Sequence, residues 1–101
     1  MAATPKNLFR GAATTNTATT LYTVPASTTT VVSNIIVTNT ASTAATFTLA
    51  LNGTAIATTV SIAANALTVI DLKQAISATQ IIQGGASAVT VNFHIAGVEI
   101  A

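Results

Sequence analysis

Apolar residues near the end of this chain recur at every second position. Val89, Val91, Phe93 and Ile95 share one parity, and Thr90, Asn92, His94 and Ala96 share the other. Period two is the repeat of a strand with one face on a core and one face in solvent. Further back, Ala44 to Leu51 sets Phe47, Leu49 and Leu51 on one face against Thr46, Thr48 and Asn52 on the other. Ile, Val and Thr together supply 40 of the 101 residues. These β-branched types suit pleated strands.

Turn chemistry divides the chain into short strands. Leu21–Val24 ends at Pro25, which cannot donate to a sheet ladder. Thr30 to Thr38 is a long β-branched run. Asn52-Gly53 stands between Ala44–Leu51 and Thr54–Ile62 and predicts a hairpin, since a type I′ turn needs positive φ at both positions. Asn52-Gly53-Thr54 also matches a glycosylation sequon, but the turn already accounts for these residues. Ala63-Ala64-Asn65-Ala66 predicts a second turn and Leu67–Leu72 a further strand. Asp71 to Ala78 has helical character and predicts a single turn of helix. Thr79–Gln83 reads as a short strand ended by Gly84-Gly85. After Gly97 the apolar Val98 and Ile100 change parity, and a one-residue bulge at Gly97 would return them to the first face. Thr38-Asn39-Thr40-Ala41-Ser42 echoes Thr15-Asn16-Thr17-Ala18-Thr19, but two copies do not make a solenoid.

These signals predict an all-β fold over residues 21–101. The expected architecture is an antiparallel β-sandwich, jelly-roll-like, of seven or eight short strands. Residues 1–20 are mostly Ala, Thr and Asn, with Pro5, Gly11 and the large apolar pair Leu8 and Phe9. They predict an extended N-terminal arm.

Charge narrows the function. The charged side chains are five: Lys6, Arg10, Asp71, Lys73 and Glu99. A net charge of +1 gives no electrostatic case for nucleic acid or an acidic membrane. Without cysteine there is no disulfide, thiolate site or cysteine nucleophile. No run of 18 apolar residues would span a membrane as a helix. Lys6 and Arg10 precede no apolar core, so the start does not read as a secretory signal. A monomer of this mass should expose roughly 5,300 Å², or about one charge per 1,000 Å². Soluble domains carry far more. The sparse charge favours a surface covered by other chains over a monomer in a neutral threonine coat. A trimer whose subunits each lose ~800 Å² to both neighbours would cover ~30% of that surface.

Candidate sites of chemistry are few. His94, the one imidazole, falls on the polar parity with Thr90 and Asn92 and reads as a surface or contact residue. A metal or nucleophile site needs partners that the sequence does not group around it. Asp71 and Lys73 suggest a weak, solvated ion pair. There is no Gly-x-Ser-x-Gly elbow, and Gly84-Gly85 lacks the lysine and helix of a phosphate loop. No catalytic, cofactor-binding or metal residue is assigned, and the chain is not expected to be an enzyme. Phe47 and Phe93 are expected in the core, and Tyr22 is the sole candidate for an exposed stacking aromatic. Leu8, Phe9 and Arg10 are the candidate contact, an apolar anchor for a neighbouring chain's groove.

Leu21-Tyr22-Thr23-Val24-Pro25-Ala26, Thr28 to Val32, Asn34-Ile35 and Val37-Thr38-Asn39-Thr40-Ala41 form one recognisable pattern. It continues in Ala45-Thr46-Phe47-Thr48-Leu49, Asn52-Gly53-Thr54 and the ending Phe93-His94-Ile95-Ala96-Gly97-Val98-Glu99-Ile100. Over about residues 20–101 it resembles small virion proteins of tailed bacteriophages, in particular capsid decoration (cement) proteins. That resemblance implies a homotrimer clamped on the outer capsid surface, with itself and the major capsid protein as partners. It implies synthesis in the host cytoplasm, and no cofactor, nucleic acid or membrane. Residues 1–20 would reach across to the shell or a neighbouring subunit, so that deleting them abolishes binding while the sandwich stays folded. Alternatives are a minor or receptor-binding tail protein on the same scaffold, and an ice-binding protein. The latter wants a regular Thr-x-Thr array that only Thr28-Thr29-Thr30 and Thr46-Phe47-Thr48 approach.

Overall fold

The computed structural model describes residues 3–101. Eight strands and no helix make up the described chain: β1 (Ala3–Ala12), β2 (Thr20–Thr23), β3 (Thr29–Asn39), β4 (Ala45–Leu51), β5 (Thr54–Ile62), β6 (Leu67–Ile76), β7 (Ile81–Ala86) and β8 (Val91–Ile100). They form two four-stranded sheets with orders β1-β8-β3-β6 and β2-β7-β4-β5. Every pairing is antiparallel.

The sheets close on the faces that the period-two pattern marks. Val32, Ile35 and Val37 of β3 and Val91, Phe93 and Ile95 of β8 point inward from one sheet. Phe47 and Leu49 of β4 and Ile82 of β7 meet them from the other. Phe47 and Phe93 meet edge to face across the sandwich, with ring centroids 6.4 Å apart and planes at 74°. This is the geometry that aromatic quadrupoles favour. The hairpin at Asn52-Gly53 forms as expected, with φ of 48° and 86°.

Four local expectations are corrected. Residues 3–12 of the expected arm are the edge strand β1, paired with β8 from Ala3↔Ile100 to Ala12↔Asn92. Leu8 and Ala13 belong to the core, so this segment is part of the sandwich. Met1 and Ala2, the start of that arm, lie outside the described residues. Asp71 to Ala78 holds no helix, because β6 continues through Ile76 along β3 and pairing overrides local propensity. β7 runs through Gly84-Gly85 to Ala86, where the Asn16–Thr17 backbone lies too close over Gly85 for any side chain.

The fourth concerns the bulge. β8 keeps its parity through Gly97, and the extra residues lie in its neighbours. Leu8 is unmatched in β1, opposite the Ile95–Ala96 step, and Ser33 is unmatched in β3, opposite the Ala96–Gly97 step. Ser33 Oγ donates to the Ala96 carbonyl at 3.1 Å. Crowding from both sides leaves no room for a Cβ on Gly97, which would run into the Val31 carbonyl oxygen and the Leu8 side chain. Glu99 therefore takes the inward parity, and Val98 does not return to the core.

Candidate interaction surfaces

Loops at one end of the sandwich are tied by a buried asparagine. Asn39, 2% exposed, donates from Nδ2 to the Thr43 carbonyl at 2.8 Å and the Ala63 carbonyl at 3.3 Å. Its Oδ1 accepts from the Ala41 N–H at 3.1 Å and the Thr90 hydroxyl at 3.2 Å. Asn16 makes the same local turn, its Oδ1 accepting from the Ala18 N–H at 3.0 Å. The echoed Asn-Thr-Ala segments are thus two Asx turns, in which the side chain stands in for a backbone acceptor.

A polar cluster closes the side between β1 and β2. Tyr22 of β2 donates its hydroxyl to Oε2 of Glu99 in β8 and shares a 2.9 Å bond with Thr30. Lys6 of β1 reaches the same carboxylate at 3.2 Å. The Tyr22 hydroxyl, more than Lys6, holds Glu99 below its ordinary carboxylate range, against the effect of burial. Burial, then the bond to Glu99, pushes the Tyr22 phenol up. Tyr22 is thus held as a bridge between sheets and is not a free stacking platform. Lys6–Glu99 is the ion pair of the described residues, and Asp71 and Lys73 stand exposed without pairing to each other.

The three candidate contact residues separate by burial along β1. Leu8 is in the core, Phe9 packs half-buried against it, and Arg10 is exposed. Arg10 lies opposite His94 in the β1–β8 ladder, and Ile36 flanks His94 on the other side. A shallow groove on this outer sheet face is lined by Pro5, Asn7, Arg10, Asn34 and His94. Of the two carboxylates, Glu99 is bound to Tyr22 and Lys6, and Asp71 lies opposite Asn34 on β6. Neither is placed to form a dyad with His94. Among the described residues no three of His, Cys, Asp or Glu come together as a metal site would require.

Sequence reasoning missed the exposed apolar side chains of the two edge strands, on the core side of β5 at Val60 and on the outer face of β6 at Leu67 and Val69. Ile56 and Val60 on β5 are 40% and 39% exposed, and Leu67 and Val69 on β6 are 60% and 56% exposed. The absence of charge from β5 was the available signal, but which edge stays open depends on topology. No protein-family model matches the chain, and no curated protein matches it.

Proposed function

We propose that this chain is a phage virion structural protein, a capsid decoration (cement) protein that binds the outer shell as a homotrimer and stabilises the head. The observation that carries the reading is the strand order. In β1-β8-β3-β6 facing β2-β7-β4-β5, each sheet interleaves strands from both ends of the chain. That order supports a jelly roll, two interlocked Greek keys, an architecture frequent in viral coat and lectin domains. A fold hosts many functions, so the surface must contribute as well. Here five charges are spread over 5117 Å² of surface, with large apolar side chains left exposed at the sheet edges. Such a surface suits contact area repeated at many sites.

In this reading the partners are other copies and the major capsid protein. The N-terminal segment contributes as an edge strand, presenting Arg10 beside half-buried Phe9, with Leu8 holding the strand to the core. Removing residues 1–20 would strip β1 from β8, so Arg10→Ala is the cleaner test of that contact.

The deciding experiment is copy number in purified virions, by quantitative mass spectrometry against the major capsid protein. A count approaching that of the capsid subunits supports decoration. A few copies per particle move the protein to the tail, as a minor or receptor-binding component. Absence from particles overturns both.

A further inference from the structure

We infer that a second copy of this chain packs on the outer face of the β1-β8-β3-β6 sheet, turned about a twofold axis that runs along the strands. The inference deepens the assembly reading above and rests on it only for the existence of self-association. All five charged side chains lie on this sheet, since β2, β4, β5 and β7 carry none. The ladders fix what its outer face presents, because cross-strand partners share a face. Arg10, His94, Ile36 and Val69 form one row across it, and Asn7, Ala96, Asn34 and Asp71 form the next. Leu67 and Val69 stand 60% and 56% exposed on this face, opposite Thr38 and Ile36. The small Ala96, between Asn7 and Asn34, floors a shallow groove of about 590 Å³.

Such a twofold lays β6 of one copy over β1 of the other, and β3 over β8. Packed sheets keep their strands within about 30° of each other, so each row meets its own counterpart. Row by row, the face then fits itself. Leu67 comes over Ala12, large on small, and Thr38 comes over Asn92, hydroxyl on amide. Ile36 meets the His94 ring, and Val31 meets Val98. Asp71 of the second copy stands over Asn7, one row from Arg10 and within reach of its guanidinium. The exchange is reciprocal, so each dimer holds two Arg10–Asp71 pairs. Lys73 follows at the rim, where its long stem leaves the ammonium in solvent.

A second copy fits this face better than an unlike partner. Arg10 and Asp71 stand exposed on the two opposite edge strands of one face. A uniformly acidic partner would meet Asp71 and a uniformly basic one Arg10, and like charges brought together oppose binding. A copy turned about the strand direction satisfies both at once. The charges also select the axis. A twofold across the strands would set β1 on β1 and β6 on β6, like charge on like. The area is sufficient. Four strands about 4.8 Å apart and about ten residues long offer roughly 600 Å² in plan. Side-chain relief raises this toward the ~800 Å² that each partner contributes to a standard interface.

Sedimentation of the full chain at up to about 100 µM tests this. The wild type should reach an even multiple of the 10.1 kDa chain mass. Arg10→Asp and Asp71→Arg each set like charges together at both pairs and should weaken association by about tenfold or more. Mixed one to one, the two variants again present opposite charges at both pairs, and the mixture should regain the wild-type mass. So should a single chain that carries both changes. Thr58→Lys, exposed on β5 of the other sheet, should leave association unchanged. Should a reversed charge fail to fold, Arg10→Ala and Asp71→Asn should weaken association in the same direction by a smaller factor. Association that folded variants at Arg10 and Asp71 leave unchanged, or that mixing does not restore, overturns this face while leaving self-assembly intact. A wild type of three times the chain mass overturns the twofold pair and supports the homotrimer. A monomer overturns both, and virion copy number then decides decoration separately.

Discussion

The hydroxyl of Tyr22 donates to the carboxylate of Glu99 across the gap between the two sheets. Tyr22 belongs to edge strand β2 and Glu99 to inner strand β8, so one bond ties the rim of one sheet to the middle of the other. Both groups have displaced pKa values, and the signs differ. Glu99 is lowered, so its contribution to stability is fully present above its ordinary 4.5. It fades as pH falls from there through the lowered value, because the unfolded chain takes the proton first. Tyr22 is raised, so its contribution is fully present below its ordinary 10.0. It fades as pH rises from there through the raised value, because the unfolded chain loses the proton first. Melting temperature against pH should therefore fall at both ends. Glu99→Gln should flatten the acid limb and Tyr22→Phe the alkaline one. A Glu99→Gln variant with an acid limb as steep as wild type would overturn this account.

Asn39 holds three loops through four hydrogen bonds while 2% exposed. Asn39→Ala orphans those partners and should cost about 2–4 kcal/mol by denaturant unfolding. Asn39→Asp keeps the acceptor for Ala41 and Thr90 but sets a carboxylate against the Thr43 and Ala63 carbonyls. Its instability should ease at acid pH, where the buried carboxyl is protonated. Asn16→Ala, at the exposed copy of the same turn, should cost less than about 1 kcal/mol. Equal losses at the two asparagines would contradict the distinction drawn from burial.

These residues show what could be read before the fold. The Asn52-Gly53 hairpin and the apolar faces of β4 and β8 depend on neighbours in sequence, and local chemistry reveals them. β1 pairs with β8, some ninety residues away in sequence, and its polar composition with Pro5 gave no hint of a partner. The β-branched run of β3 concealed its bulge at Ser33, since Val31, Val32, Ile35 and Ile36 occupy both parities. Of the candidate contact at Leu8, Phe9 and Arg10, the residue types were visible but not that Leu8 serves the chain's own core. Leu67 and Val69 alternate correctly as strand residues, yet only the sheet order reveals that β6 is an edge.

Thr79 adopts φ of 69° in the turn between β6 and β7. A β-branched residue there is strained, because the left-handed region crowds Cβ against the backbone. Its side chain is exposed, while its N–H donates to the Val24 carbonyl at 3.0 Å. Thr79→Asn preserves that backbone bond and introduces a side chain that tolerates the conformation. It should stabilise the fold by about 0.5–1 kcal/mol, seen as a higher melting temperature. A lower one would mean that the threonine side chain contributes something at this turn beyond its backbone shape.

Gly97 sits where the bulges of β1 and β3 press on β8 from both sides. Gly97→Ala must push its methyl into the Val31 carbonyl oxygen, a backbone atom that cannot step aside without disturbing the β3–β8 ladder. Overpacking of this kind costs about 1–3 kcal/mol, and the rigid contact places this site toward the upper end. Leu8 is the other obstacle, and its side chain could be shortened. If Leu8 were the main conflict, Leu8→Ala would relieve the Gly97→Ala defect in a double-mutant cycle. If the Val31 carbonyl dominates, as the geometry requires, the two losses should be close to additive. Full rescue would place the constraint on β1 alone and remove the role assigned to the bulge at Ser33.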